Sequence, residues 1–530
     1  LSEGGEGGEG GEGARVLVLE AGPMDKAREI HIPPAFVKLF QGDLDWSYFT
    51  EAEPHLHDRR LFWPRGRVVG GSGSINAMLY IRGHRADYDR WRSWGNEGWG
   101  YDEVLPYFKR SENQARGEDR YHGIGGPLEV ADPRDPNPLS RVFLEATAEL
   151  GWRRNPDFNG ARQEGAGLYQ VNQRRGRRWS TAAGFLRPAL AGGGSGSGRG
   201  SLTLRTGVLV TRVLFEGDRA VGVEYLEHGG QRQGRQGGQI RQARLTDGGE
   251  VVLCGGAINS PQILMLSGVG PASALGALGL PVVADLPGVG SNLQDHGVVP
   301  VIFRASRPIT LDSAETLPNL LRYLLFRRGP FTSSICEGGA FVRTRPGLEQ
   351  PDLQFHFLPA ALVDHGFDTA TDRGFNFGPT LLKPKSRGCL RLRSADPADH
   401  PAIHANYLAE EDDLRVLIHG VRLSRQLAHT AAFEPYRDRE ILPGPEVKTD
   451  AEIAAFIRDI LATIYHPVGT CKMGPESDRE AVVDPQLRVR GTRGLRVVDA
   501  SIMPELIGGN TNAPTLMIAE KGADLILADR

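Results

Sequence analysis

The residue types best suited to chemistry in this chain cluster in five short stretches. In "YHPVGTCKMG", His466 precedes Pro467, which holds it extended or in a turn. An imidazole can trade a proton near neutral pH, or serve only as a structural group. In "GGNTNAPT", Asn510, Thr511 and Asn512 stand at a helix N-terminus, whose partial positive charge suits an anionic or electron-rich group. In "PRGRVVGGSGSINAMLYIRGH" (64–84), Gly66, Gly70, Gly71 and Gly73 let the backbone come close to something. Ser72 and Ser74 add hydroxyls there and Asn76 an amide, although a plain turn between strands explains the same letters. "GAINSPQILMLSGVG" (256–270) is a glycine turn into a helix, compatible with phosphate contact. "ARVLVLEAG" is a short buried strand ending in Glu20, the way a Rossmann unit offers a carboxylate to a ribose hydroxyl, and equally the way many strands end in water.

The elements that must position these groups are legible in outline. "SLTLRTGVLVTRVLFEGDRAVGVEYLE" alternates apolar and polar residues and reads as a β-meander. "GGEVVLCGGAINSPQILMLSGVG" reads as strand, glycine turn and short helix, and the C-terminal "LRVVDASIMPELIGGNTNAPTLMIAEKGADLILAD" as strand, turn and helix, with Pro514 in the first helical turn. Between about 303 and 460 lie strands such as "LQFHFLP" and "CLRLRSA" and an amphipathic helix around "EEDDLRVLIHGVRLSRQLA". Three glycine-rich stretches (3–13, 191–200 and 228–242) read as flexible insertions. The first contains G-x-G-x-x-G by the arithmetic of a GGE repeat. No strand precedes it, no helix follows it, and its glutamates repel phosphate.

Bulk properties exclude several classes. At 530 residues the chain can bury a large core, and a net charge of −3 gives no footprint for nucleic acid. Cys254, Cys336, Cys389 and Cys471 lie far apart without metal spacing, which reads as a reducing compartment and no metal site. Neither G-x-S-x-G nor H-E-x-x-H occurs, which argues against a serine hydrolase or a zinc peptidase. No apolar run approaches membrane-spanning length.

Taken together, these residues resemble the glucose–methanol–choline (GMC) flavoprotein oxidoreductases. Residues 66–89 fit that family's first glycine-rich signature and 256–270 its second. "DLPGVGSNLQDH" and "VVDASIMPELIGGNTNAPTLMIAEKGADLI" are also similar, and "PKSRGCLRLRSADP" and "HFLPAALVDHG" look most like the choline-dehydrogenase-like alcohol dehydrogenases. The resemblance implies an α/β chain: a Rossmann-like FAD-binding domain (1–302 and 475–530) and a substrate-binding domain (303–474) with an antiparallel sheet and helices. It implies FAD-dependent oxidation of the CH–OH group of a small-molecule alcohol, with an alcohol oxidase or a truncated non-catalytic flavoprotein homologue as the alternatives. His466 would take the hydroxyl proton and Asn510 would hydrogen-bond the developing alkoxide. Glu20 would hold the adenosine ribose, and Val68, Gly71, Ser72, Asn76, Ala77, Met78 and Leu79 would line pyrophosphate and isoalloxazine. Val210 would meet adenine through its backbone, and Asp499, Ala500, Asn512 and Thr515 would bind near the flavin. Ile75 stands where some relatives place a tethering histidine, so noncovalent FAD is expected. The electron acceptor (a quinone, a dye or O2) stays open.

Two departures and two secondary features complete the reading. The family begins with a strand and a true phosphate loop, followed by a helix ending in text like "RLSE", whereas this chain opens at "LSE". The expectation is a fragment whose first strand and loop are missing from the sequence, with a cytoplasmic or organellar-matrix location and an upstream targeting segment left open. A flavin-dependent decarboxylase is disfavoured because the His and Asn of the alcohol-active pair are both kept. Glu337, in "SSICEGGAF", could meet a cationic substrate but reads as structural. Asp295–His296 reads as local structure beside the cofactor.

Overall fold

A computed structural model describes residues 1, 14–192, 202–227 and 238–529. The apolar run "VLVLE" forms the strand Val16–Glu20, paired in parallel with Leu202–Thr206 so that Glu20 lies opposite Thr206. A second parallel pair joins Val251–Leu253 to Leu495–Val497. The first strand of this pair leads through a glycine turn into the helix Gly256–Leu266, and the second leads on towards the helix Asn512–Ala528. The latter helix is apolar on nearly every side and accordingly buried, packed on the helix Tyr101–Ser111.

The predicted meander exists, with different members. Val208–Glu216, Arg219–Glu227 and Gln239–Arg244 form a three-stranded antiparallel sheet, while Leu202–Thr206 leaves for the Val16–Glu20 pair. Alternation marks a half-buried strand without naming its neighbour. Residues 239–242, read as part of a flexible insertion, are strand. Their side chains are exposed, so backbone pairing, Gln239 opposite Glu227, and an ion pair from Arg241 to Glu227 hold them, and no apolar pattern betrays it. In the 191–200 stretch, residues 191 and 192 close the helix Arg187–Gly192. The rest of both insertions and the GGE repeat lie outside the described residues.

The largest sheet has eight antiparallel strands. Its main path runs Arg437–Leu442, Val301–Ala305, Gly374–Leu381, Leu353–Leu358, Gly338–Val342 and Gly165–Leu168, with Gly297–Val298 and Ala462–Thr463 attached at one side. The 165–168 and 297–298 strands come from outside the 303–474 segment. The former is too short and glycine-rich to read as strand. It also needs glycine, because a Cβ on Gly167 would sit 2.0 Å from the Asn155 carbonyl. One face of the sheet carries Phe303, Phe357, Phe375 and Phe377 against Phe143 and Phe433, with Phe143 and Phe357 stacked at 4.8 Å. Burying each such ring contributes about 1.5–3 kcal/mol. The helix Glu411–Ala428, acidic in its first turn and basic in its last, packs on this sheet. Among the described residues no helix is long and apolar enough to cross a membrane.

Candidate active site

One cavity of 2470 Å³ runs between the parallel strand pairs and the large sheet. Glu20, Gly71, Ser72, Asn76, Ala77, Met78, Leu79, Val210, Asp499, Ala500, Asn512 and Thr515 line it, and so do His466 and Asn510. Val68 does not. It is fully buried among Ile30, Phe36 and Phe62, and its carbonyl accepts the Gly71 N–H at 2.7 Å, so it shapes the loop from behind.

The wall opposite the large sheet is mostly backbone. Gly71 (φ +54°) and Gly256 (φ +78°) adopt left-handed conformations, and a Cβ on either would project into open space with no atom within 4 Å. These are concave surfaces to which a ligand's atoms can approach closely. The Asn76 side-chain oxygen accepts from the Met78 N–H and from Arg178 Nη1, both at 2.8 Å. Arg178 is buried, donates through Nε to the Ile30 carbonyl at 2.8 Å, and leaves Nη2 without a partner. Burial pushes its pKa down to about 9. Asp499 accepts from the Gly256 N–H (2.8 Å), the Ser260 hydroxyl (2.5 Å) and the Ser501 N–H (2.8 Å), which fixes the Gly256 turn to the segment that follows the Leu495–Val497 strand. Glu20 accepts from the Gly22 N–H at 2.7 Å, and burial raises its pKa. Open glycine cradles and a strand-end carboxylate on the cavity wall fit a dinucleotide carrying a diphosphate.

The other end of the cavity is built from imidazoles. His296 Nε2 faces the Leu382 carbonyl at 3.0 Å, and a carbonyl only accepts, so Nε2 carries the proton. His296 Nδ1 therefore accepts, and His466 Nδ1, 2.9 Å away, donates to it. That leaves His466 Nε2 as a lone pair, 3.3 Å from the Asn510 amide nitrogen, which donates to it. The Gln354 amide nitrogen donates to the Asn510 oxygen at 3.3 Å and so sets which way Asn510 points. Asp295 accepts the His466 backbone N–H at 2.7 Å, anchoring the segment before Pro467. His356 lines the cavity, donates from Nδ1 to Thr380 at 2.9 Å, and its buried Nε2 has no hydrogen-bond partner. Burial holds His466 well below 6.5, helped by His296 and His356, and brings His296 and His356 down to about 3. All three rings are neutral.

Sequence reasoning found His466 and Asn510 but missed their supports. From sequence, Asp295 and His296 read only as local structure beside the cofactor. Here they reach His466 from two sides, one through its backbone and one through its ring. Gln354 and His356 did leave a signal: two polar residues at period two in an otherwise apolar strand. Glu337 is structural. Its carboxylate, 1% exposed, accepts from Ser140 (2.7 Å), Ser333 (2.6 Å) and the Asn137 N–H (2.6 Å), and it does not line the cavity.

Residues 12–298 and 384–519 match the N- and C-terminal family models described as GMC oxidoreductase. The mitochondrial choline dehydrogenase of Mus musculus is 46% identical over 97% of this chain and 85% of its own. The "alcohol dehydrogenase [acceptor]" of Pseudomonas putida is 46% identical over 97% and 91%. Among solved structures, pyridoxine 4-oxidase from "Mesorbium loti" superposes with a TM-score of 0.85 at 34% identity, covering 96% of this chain and 94% of that one.

Proposed function

The chain belongs to the GMC oxidoreductases, and from that premise we propose how its own residues oxidise an alcohol. It is a FAD-dependent alcohol dehydrogenase of the choline dehydrogenase type, acting on the CH–OH group and holding FAD noncovalently. FAD, when bound, supplies the hydride acceptor. The 70–79 loop, the Gly256 turn, Asn512 and Thr515 would hold it, with Arg178 bracing that loop from behind through Asn76, Glu20 at the ribose and Val210 at the adenine. The division into a Rossmann-like FAD-binding part (1–302, 475–530) and a substrate part (303–474) belongs to the same proposal.

The observation that carries the mechanism is the proton order of the histidine end. Because His296 accepts from His466 Nδ1, the Nε2 lone pair of His466 is the one presented to the cavity. A substrate hydroxyl entering there gives its proton to His466 Nε2, and the Asn510 amide N–H donates to the same oxygen. General-base help of this kind is worth about 10²–10⁴ in rate.

The pocket chemistry favours an uncharged alcohol over a cationic one. Glu337 is committed to serines and a backbone N–H, and Phe36, Phe40, Ile335, Leu358 and Tyr465 form an apolar collar on the cavity. The test is anaerobic bleaching of the visible flavin absorbance with a medium-chain primary alcohol and, separately, with choline. Faster bleaching by the apolar alcohol is the expected result, and bleaching by neither would sink the catalytic reading.

A further inference from the structure

We propose that Lys383 is a positioning residue: its ammonium fixes the segment 505–509 and thereby sets where the Asn510 amide stands. What that placement does for the reaction rests on the catalytic reading above; the placement itself does not. Lys383 follows the strand Gly374–Leu381 and does not line the cavity. Its side chain, 14% exposed, runs to a point where three acceptors meet. Nζ donates to Asp87 at 2.9 Å, to Glu505 at 3.0 Å and to the Leu506 carbonyl at 2.6 Å. All three N–H groups of the ammonium are used.

The other oxygen of Asp87 carries the effect onward. It accepts the Gly508 N–H at 2.7 Å and, at the start of the helix Arg85–Ser93, the His84 N–H at 2.8 Å. Asp87 is fully buried. Burial works against its charge, yet Lys383 and the two N–H groups outweigh that and hold its carboxyl below the usual range. The same segment is tied twice more. The Leu506 N–H reaches the Gln294 oxygen at 3.1 Å, and the Gln163 amide donates to the Gly508 carbonyl at 2.6 Å. A Cβ on Gly509 would stand 2.4 Å from Ile81, so the backbone is seated close against its neighbour immediately before Asn510.

Lys383 also adjoins the support of the other catalytic group. Its neighbour Leu382 supplies the carbonyl that accepts from His296 Nε2 and so sets the proton order along His296 and His466. One dipeptide at the end of one strand therefore serves His466 through its backbone and Asn510 through its side chain. The two services are separable. Without the ammonium, Asp87, Glu505 and the Leu506 carbonyl face one another as acceptors only. Glu505 keeps Arg90 at 3.3 Å, but Asp87 is left buried with no cation against it among the described residues. Repulsion then parts 505–509 from the helix Arg85–Ser93, and Asn510 moves with it. Leu382 stays, because its own N–H is bonded to the Asp352 carbonyl at 2.9 Å.

The test uses the full, FAD-loaded chain. Lys383→Met should lower kcat by about 10²-fold, as misplacing a reacting group from a distance does. Lys383→Arg, whose guanidinium can meet the same carboxylates, should recover most of that loss. In an Asn510→Ala background, Lys383→Met should change kcat by less than about twofold, because residues that act as one unit are not additive. A crystal structure of Lys383→Met should show the Asn510 amide out of hydrogen-bond distance of His466 Nε2. If the methionine variant does not accumulate as folded protein, Lys383→Gln, which keeps a donor for the Leu506 carbonyl, goes through the same measurements. The control is Lys385→Met, in which an exposed lysine loses its pair with Asp412; its kcat should match the parent's. An Asn510 amide that has not moved overturns the proposal, and so does a loss of kcat equally large with and without Asn510. A displaced amide with unchanged kcat upholds the placement and overturns instead the catalytic role given to Asn510.

Discussion

Two groups of buried histidines in this chain end on opposite sides of neutrality. His356 and His466 line the cavity and His296 stands behind His466, none with a carboxylate on its ring, and burial leaves all three uncharged. His122, in the first third of the chain, is equally enclosed but is held between Glu112 (3.0 Å) and Asp157 (3.0 Å), with Arg82 on the same glutamate at 2.6 Å. Burial lowers its pKa, yet the two carboxylate hydrogen bonds outweigh that and raise it to about 9. The residue type and the depth are alike; the partner decides the charge. A neutral ring offers a lone pair for catalysis, whereas a charged one ties helix ends and loops together.

The sharpest way to break the comparison is to remove the catalytic lone pair. His466→Ala should lower kcat by about 10²–10⁴-fold while the flavin absorbance stays, because no charge is stranded by the change. The structural cluster should respond in the opposite sense. Glu112→Gln leaves Arg82 and His122 facing each other without their shared carboxylate, and losing one partner of a buried pair costs about 3–5 kcal/mol. Denaturant unfolding should show that loss, with kcat per folded, flavin-loaded molecule unchanged. Asn510→Ala comes next: removing one donor at the reacting oxygen should cost about 10²–10³ in kcat, with stability close to that of the parent. If Asn510→Ala instead unfolds the chain, the amide is a structural tie like Glu112.

How much of this was legible follows from how each part is built. The cavity's backbone wall comes from contiguous glycine-rich stretches, in which the function of a position depends on its neighbours in sequence, so Gly71, Asn76 and the 510–515 turn could be read directly. The histidine end is assembled across 170 residues between His296 and His466, and nothing local in "NLQDH" says that its histidine will choose the tautomer of another. Arg178 hid for a related reason. In "RRGRRWS" it is one arginine of four, and only folding shows that it is the buried one. In the same way, the sheet's 165–168 edge strand depends on the close approach to Asn155 that Gly167 permits, which composition does not encode.

The smallest effect expected is a pH profile of stability with two limbs. For His122 the folded pKa, about 9, lies above the unfolded 6.5, so its contribution is complete below 6.5 and is lost as pH rises towards 9. For His296 and His356 the folded value of about 3 lies below 6.5, so their contribution is complete above 6.5 and is lost as pH falls from there, and His466 acts in the same direction. Asp295, raised to about 6 by burial, gains a proton more readily when folded and offsets one of these three between about 6 and its ordinary 3.8. These rings therefore weaken the fold on the acid side and His122 weakens it on the alkaline side, each by up to about 1.4 kcal/mol per pH unit. Thermal melts across this range in the parent and in His122→Gln would check it. The substitution should flatten the alkaline limb and leave the acid limb in place, because below 6.5 His122 is protonated both folded and unfolded. Equal flattening of both limbs would mean that the two groups of histidines do not titrate independently.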